Sequence, residues 1–247
     1  MKFVYHRLLF SLVICIYLTL VISFPLSEDA KSNISNSTSS PCEEYFKVGN
    51  CSSCQKTAYR TKDDNIATCW GLYNITLISN DASLLTSKCN LPCNQTALLT
   101  LNADIQRDCK QELINWVKNS TNVDTLSYLW KDVYSVIPYR QSICTKSSDG
   151  TYCAIGVRTQ ITEYLSSLSA PDAQVAFEHD LDGSVSYGDP EKTVALPKNI
   201  RCSDCYIAMA QPWIDFAEKN PSPIPELQSE LQKYIEPIKG NTTQCAK

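Results

Sequence analysis

Histidine is nearly absent from the chain, and this scarcity excludes several kinds of active site. Only two occur in 247 residues, and His6 lies in an N-terminal segment that we expect to be removed. Zinc hydrolase signatures need paired histidines, and the Gly-x-Ser-x-Gly motif of serine hydrolases is also missing. A Ser/His/Asp or Cys/His unit would have to use His179. This residue lies between Glu178 and Asp180, a setting that is typical of a solvated surface histidine. We therefore predict no histidine-based catalysis.

Glycine and clustered basic residues are scarce as well. Seven glycines in the chain favour helices over a turn-rich β fold. The 22 Lys and Arg residues are outnumbered by 26 Asp and Glu, and removal of Lys2 and Arg7 with the N-terminal segment leaves a formal charge of −6. Beyond that segment no run of basic residues is longer than two. The electrostatic footprint of nucleic-acid binding is absent, so we expect no nucleic-acid partner.

Residues 1–23 have the layout of an export signal. A short basic start precedes an apolar run over 8–22, and Ser23 stands before the expected cleavage site. The run is shorter than the roughly 20 residues that span a bilayer, although an uncleaved signal anchor stays an alternative. The polar residues 242–247 predict no GPI-attachment tail. We expect a secreted, extracellular protein with no stable membrane anchor after signal cleavage.

Cysteine is abundant, and its number is typical of an oxidising compartment. Of 13 cysteines, Cys15 leaves with the signal, and an even set of twelve remains. A zinc site or a redox-active pair built from the two C-x-x-C motifs is the alternative, but export favours ordinary disulfides. We predict that Cys245 pairs with Cys202 or Cys205, and that Cys144 pairs with Cys153. The predicted disulfide cysteines are Cys42, Cys51, Cys54, Cys69, Cys89, Cys93, Cys109, Cys144, Cys153, Cys202, Cys205 and Cys245.

Seven Asn-x-Ser/Thr tripeptides support export, since they are N-glycosylation acceptors in secreted proteins. The first two lie in a polar tract without an apolar period, so residues 24–41 are predicted to be a disordered, glycosylated leader. The acceptors are Asn33, Asn36, Asn50, Asn74, Asn94, Asn119 and Asn241.

Residues 42–247 are predicted to form one disulfide-rich helical domain. Apolar residues recur every three or four positions in five segments, as in helices packed around a core. Pro225 suits the first turn of the last helix, and Pro212 is expected to kink the one before it. The only candidate strand is 72–78. The five apolar stripes are Leu98 to Trp116, Leu126 to Ile137, Val157 to Leu168, Cys205 to Phe216 and Ile224 to Ile238. The predicted fold class is mainly α, a disulfide-stapled helical bundle.

The helical period lapses near residues 170–200, which predicts an irregular acidic loop. Within it, residues 178–189 resemble the calcium loop of EF-hands, in which oxygen ligands alternate and a glycine at the sixth position permits a sharp turn. Gly183 has that position, while Pro190 disturbs the helix that should follow. A plain acidic surface loop is the alternative, and calcium is the only cofactor that the sequence suggests. The candidate ligands are Glu178, Asp180, Asp182, Ser184 through its carbonyl, Ser186 and Asp189.

Two resemblances accompany these patterns. Tyr152-Cys153, Leu196-Pro197 leading to Cys202-Ser-Asp-Cys205, the helix after it and a lone final Cys245 are similar to secreted, cysteine-rich fungal proteins. That family is often GPI-anchored, and the resemblance implies a place at the cell surface or wall and no catalytic residues. The C-x-x-C at the head of an amphipathic helix also looks like the start of a saposin-type lipid-binding module, which expects more cysteines after Cys205 than the single Cys245.

We expect a secreted, N-glycosylated protein without enzymatic activity or catalytic residues. Its expected role is binding or structural, at the cell wall, the extracellular matrix or a host surface, and the partner is not specified by the sequence. A carboxylate-dependent hydrolase is one alternative, because any two acids at a suitable separation could serve. A saposin-like lipid carrier is the other.

Overall fold

The protein is mainly helical, as predicted, in a computed structural model that describes residues 43–44, 48–72, 81–119, 125–168, 177–187 and 193–245. The predicted signal and the predicted leader lie outside these residues, as do residues 73–78 of the predicted strand at 72–78. In the described part of the chain, no helix has the length and apolar character needed to cross a bilayer. Two 3₁₀ helices span Arg60–Lys62 and Thr68–Leu72. The α-helices are α1 Ser53–Tyr59, α2 Asp64–Ala67, α3 Ala82–Cys89, α4 Gln95–Asp108, α5 Lys110–Asn119, α6 Thr125–Ile143, α7 Cys153–Ser167, α8 Lys198–Arg201, α9 Asp204–Lys219 and α10 Pro225–Cys245.

Polar side chains fix where several helices begin. The Ser52 hydroxyl accepts a hydrogen bond from the Gln55 amide, and the Gln55 side chain accepts one from the Ser52 amide, which completes a capping box before α1. The carboxylate of Asp81 caps α3, and Asn94 caps α4 in the same way. Each cap satisfies amides that have no partner within their own helix. These helix starts therefore depend on local sequence, because each cap lies within three residues of the amides that it satisfies.

Two large apolar clusters make up the core. The first contains Trp130 and Leu98, both fully buried, and collects residues from α1, α4, α5, α6 and the start of α10. The second surrounds Ile161 and Met209 and collects residues from α3, α7, α9 and the sheet. Helix α6 contributes to both clusters, and α9 packs along it. A smaller cluster closes α10 against α9.

Five disulfides within the described residues join segments that are 24 to 55 positions apart. The Cys202–Cys245 bridge confirms one predicted pairing, whereas the predicted Cys144–Cys153 bridge is wrong. That prediction relied on the short separation of the two cysteines in the sequence. Lys146 and Tyr152 do pair in a short turn, but Cys144 bonds to Cys89 of α3 and Cys153 bonds to Cys205 of α9. Cys51 is also disulfide-bonded, and Cys42 lies outside the described residues. The described bridges are Cys54–Cys109, Cys69–Cys93, Cys89–Cys144, Cys153–Cys205 and Cys202–Cys245.

The stretch predicted as an irregular loop contains a three-stranded antiparallel sheet, in the order β1 Phe177–Asp180, β2 Ser184–Tyr187 and β3 Thr193–Ala195. Val185 of β2 and Leu196 after β3 are buried in the second cluster. The strands are too short for their alternation of apolar and polar residues to stand out in the sequence. Tertiary packing of these two side chains, rather than local propensity, accounts for the sheet.

The predicted stripes are largely the buried faces of the helices, with informative exceptions. The stripe from Leu98 to Trp116 is shared by α4 and α5, because α4 ends at Asp108 and is followed by Cys109, which is buried in its bridge to Cys54. Tyr234 is 54% exposed and Leu168 is 41% exposed, so neither belongs to the core. Helix α9 continues through Pro212.

Candidate functional site

The predicted calcium loop is a β-hairpin whose turn is held by its own side chains. Gly183 has a φ of +91°, a conformation that side chains larger than hydrogen disfavour. The Asp182 carboxylate accepts hydrogen bonds from the Ser184 amide at 2.9 Å and from the Ser184 hydroxyl at 2.7 Å. The Gly183 amide donates to the Tyr206 hydroxyl at 3.1 Å. The turn is thereby joined to α9.

Strands therefore flank this turn, where an EF-hand would have helices. In the register, Glu178 pairs with Ser186 and Asp180 pairs with Ser184, while Asp189 lies outside the described residues. Across the described segments, no group of three His, Cys, Asp or Glu residues lies close enough to hold a metal ion. Calcium binding by these residues stays a prediction. His179 lies in β1 opposite Val185.

Arg201 and Asn241 lie directly beneath the hairpin turn. The Arg201 guanidinium donates to the Leu196 carbonyl through Nε at 2.8 Å and to Asn241 Oδ1 through Nη1 at 2.9 Å. The Asn241 Nδ2 atom donates to the Leu181 carbonyl at 3.4 Å. A Cβ atom on Gly183 would lie 2.6 Å from both Arg201 Cδ and Asn241 Nδ2. Sequence reasoning missed this cluster, because nothing in the local pattern links residues 181–183 to residue 241.

The two C-x-x-C motifs are structural. Cys54 bonds to Cys109, so it is not available to Cys51. Cys202 and Cys205 bond to two different helices, through Cys245 and Cys153. In a redox-active C-x-x-C motif the two cysteines form a disulfide with each other, and a zinc site needs free thiolates. Because these cysteines form disulfides with distant partners, the folded, oxidised protein has neither kind of site at these motifs.

Among the acids that the structure describes, Asp132 has the environment closest to that of a general acid. It is half-buried on α6, and this burial raises the pKa of its carboxyl to about 7, against a small opposite effect of the Lys131 charge. Its position between the buried Trp130 and Val133 was the signal available in the sequence. Sugar hydrolysis needs a second carboxyl close to the first. The most prominent pair of described acids lies on α4 instead, and it forms ion pairs with arginines.

That other pair, Asp104 and Asp108, belongs to an ion network on α4. Asp104 contacts Arg60 at 2.5 Å and Arg107 at 2.7 Å. The hydrogen bond from Arg107, and a second from Thr57, hold the pKa of Asp108 below its usual range. Through these contacts the two carboxylates tie α4 to α1 and to the 3₁₀ turn after it.

Two surface features concern α10. A groove of about 230 Å³ runs between α9 and α10, with Leu231 and Ile235 among its apolar residues and a 2.9 Å ion pair between Glu218 and Lys239 beside it. On another part of α10, Tyr234 covers the ammonium of Lys131 from α6 at 5.0 Å from the ring centroid.

Lys131 joins three helices through its ammonium. The Trp116 ring on α5 lies 4.6 Å from Lys131 Nζ, and the Tyr234 hydroxyl accepts a hydrogen bond from it at 2.9 Å. Glu230 of α10 lies 4.0 Å away. A cation between two aromatic faces and a carboxylate is favourably placed, so Lys131 stabilises the contact of α10 with α5 and α6.

The acceptor asparagines differ in their surroundings. Asn50 and Asn94 are exposed, whereas Asn241 is buried at 8% exposure. Asn119 is the last residue of α5. Asn33, Asn36 and Asn74 lie outside the described residues.

Fold and bridges together define a disulfide-crosslinked helical protein that carries a small antiparallel sheet. Beyond this class the comparisons add nothing, since no protein-family model, curated protein or solved structure matches the chain.

Proposed function

We propose that the chain is a secreted, N-glycosylated protein without enzymatic activity, which has a binding or structural role at a cell wall, an extracellular matrix or a host surface. The observation that carries the proposal is the set of bridges, which tie distant segments together throughout both apolar clusters. A chain of this length buries enough apolar surface to fold without such bridges. Their density is typical of proteins that must persist outside the cell, among proteases and without chaperones.

The dimensions of the α9–α10 groove favour a surface contact over an enclosed small molecule. Pockets that bury a small-molecule ligand measure about 300–1,000 Å³. The groove is smaller, at about 230 Å³. A lipid chain would need a longer apolar space, so the groove gives the saposin-like alternative little support. The hydrolase alternative has one suitable carboxyl in Asp132, and glycoside chemistry requires two.

The test is to express the full chain in a eukaryotic secretory host and to recover the protein from the medium. We expect cleavage after Ser23, complete oxidation of the thiols, N-glycans and retention on isolated cell walls or matrix preparations. Reduced and alkylated protein of the same sequence and glycosylation is the matched control, and it should not be retained. Retention of the chain inside the cell with free thiols would contradict the proposal. Sugar release from the wall would favour the hydrolase, and co-purifying lipid would favour the carrier.

A further inference from the structure

We infer that two of the acceptor tripeptides have opposite fates: Asn94 carries an N-glycan, whereas Asn241 stays unmodified and serves as a structural amide that locks the hairpin turn. The inference rests on the proposed export, because glycans are added only in the secretory pathway. The inference distinguishes two asparagines that have the same acceptor motif in the sequence. The distinction comes from how each side-chain amide is used in the folded protein.

The Asn241 amide has no room for a sugar. An N-glycan is attached to the side-chain nitrogen, and in Asn241 this Nδ2 atom donates to the Leu181 carbonyl at 3.4 Å. The same atom would lie 2.6 Å from a Cβ on Gly183, so the backbone of the turn packs against it. The side chain is buried, with the residue 8% exposed. A glycan on Nδ2 would have to separate α10 from the turn.

The bridge at the end of α10 holds Asn241 in this position. Cys245 lies one helical turn after Asn241 and bonds to Cys202 directly after α8. Arg201 precedes that cysteine, and its Nη1 atom donates to Asn241 Oδ1 at 2.9 Å. The oxygen and the nitrogen of the Asn241 amide therefore contact two different elements, α8 and the hairpin turn. Both contacts are lost if the amide leaves its site.

Asn94 uses its amide in a way that is compatible with a glycan. It is exposed, and its Oδ1 atom accepts a hydrogen bond from the Ala97 amide at 3.0 Å, which caps α4. The cap depends on the oxygen and not on the nitrogen that carries a sugar. Thr96, the hydroxyl residue of this tripeptide, is exposed as well. Glycosylation of Asn94 therefore leaves both the cap and the core unchanged.

The first experiment removes each acceptor tripeptide without changing its asparagine. Thr96→Ala and Thr243→Ala are expressed in the secretory host beside the natural chain, and their masses are compared before and after enzymatic removal of N-glycans. We expect Thr96→Ala to lose the mass of one glycan and Thr243→Ala to lose none. A lighter Thr243→Ala protein with native disulfides would overturn the assignment of Asn241. Absence of glycans from all three proteins would contradict the assignment of Asn94 and the glycosylation in the proposed function.

The second experiment tests the structural role of Asn241 on protein freed of glycans, so it does not depend on the first. Asn241→Ala removes both contacts and is expected to lower the Tm by about 4–8 °C, the size expected for one or two lost buried hydrogen bonds in a chain of this length. It should also speed proteolysis at the 181–183 turn. Thr243→Ala is the control and should shift the Tm by less than about 2 °C.

Asn241→Asp keeps an oxygen for Arg201 and should give a Tm between those of Asn241→Ala and the natural chain. If Asn241→Ala fails to fold while Asn241→Asp and Thr243→Ala fold, the structural role is supported. An Asn241→Ala protein with the Tm and proteolysis rate of Thr243→Ala would overturn it.

Discussion

Burial of a charged side chain can lower or raise the stability of the folded protein, and Asp132 is the case in which the buried charge is costly. This residue is half-buried on α6, and its burial raises the pKa of its carboxyl from 3.8 to about 7. The folded protein therefore binds a proton between these two values that the unfolded chain has released. Arg140 is the useful case. Its buried guanidinium donates through Nη2 to the carbonyls of Cys89 and Leu91 at the end of α3.

The Asp132 carboxyl makes stability depend on pH. Because its pKa is raised on folding, its contribution to the free energy of unfolding is fully present below about pH 4 and falls as the pH rises through about 7, by at most about 4 kcal/mol at 1.36 kcal/mol per pKa unit. Asp132→Asn should remove this fall, so its stability should exceed that of the natural protein above pH 7 and match it near pH 4. Urea unfolding at both pH values measures the difference. Glu163→Gln, at an exposed position of α7, is the control, and an equal effect there would contradict the prediction.

Replacement of Arg140 should destabilise the end of α3. Its Nη2 atom also reaches the Lys88 carbonyl at 3.4 Å, but that carbonyl accepts from the Leu91 amide as well. Arg140→Met therefore takes the Nη2 donor from the partly buried carbonyls of Cys89 and Leu91. The Nη1 atom is buried and has no hydrogen-bond partner among the described residues, which limits the net gain from the charge. We expect a loss of about 2–3 kcal/mol in the free energy of unfolding by chemical denaturation. Lys110→Met, at an exposed lysine, should change it by less than about 0.5 kcal/mol.

Among the elements, the hairpin shows how a distant contact specifies a local turn. Its turn needs a positive φ at Gly183, and the same glycine lets Arg201 and Asn241 approach the backbone. The helices around it depend less on such contacts, because caps such as Asp81 accept hydrogen bonds from amides no more than three residues away. The hairpin is thus the element whose conformation depends most on the rest of the molecule.

Gly183→Ala and Gly150→Ala form a matched pair that separates strain from collision. Both glycines have a positive φ, +91° and +85°, but a Cβ at Gly150 would meet nothing within 4 Å. Gly150→Ala should therefore cost only the backbone strain, about 1–2 kcal/mol. Gly183→Ala should cost clearly more, since Arg201 and Asn241 must move. Denaturant unfolding of both variants measures this, and equal losses would show that the packing beneath the turn is loose.

At the scale of the whole molecule, the bridges decide which segments stay together. Cys153–Cys205 joins α7 to α9, and therefore links the helices before the sheet to those after it. Cys202–Cys245 closes α10 onto α8. Both enclose loops of similar length, with separations of 52 and 43 residues.

Removal of the Cys153–Cys205 bridge should cost more than loop closure alone. The chain-entropy relation gives about 4 kcal/mol for a loop of this size. Cys153 is also buried, so Cys153→Ala with Cys205→Ala leaves a cavity in the second cluster, whereas the Cys202→Ala and Cys245→Ala pair acts on half-exposed residues. We expect the first double variant to lose more stability than the second in guanidinium unfolding. Equal losses would mean that the bridges act only on the unfolded chain.

Much of the fold could be predicted because helix signals are local. The apolar stripes of α6, α7, α9 and α10, and the start of α10 at Pro225, follow from residues three or four positions apart. The partner of Cys245 could be narrowed to Cys202 or Cys205, and the structure has Cys202. Prediction failed where partners are far apart in the chain, as for Cys144, which bonds to Cys89 across 55 positions.

The helical class, several helix starts and the set of cysteines available for bridges follow from the sequence alone, because each depends on residue type and short-range spacing. Three other features are visible only in the folded molecule: the disulfide pairs, the sheet within the acidic stretch, and the burial of Asn241 while Asn94, in the same kind of motif, is exposed. These features depend on which surfaces meet when the chain closes on itself. Neither an acceptor tripeptide nor the spacing of the cysteines specifies which surfaces these are.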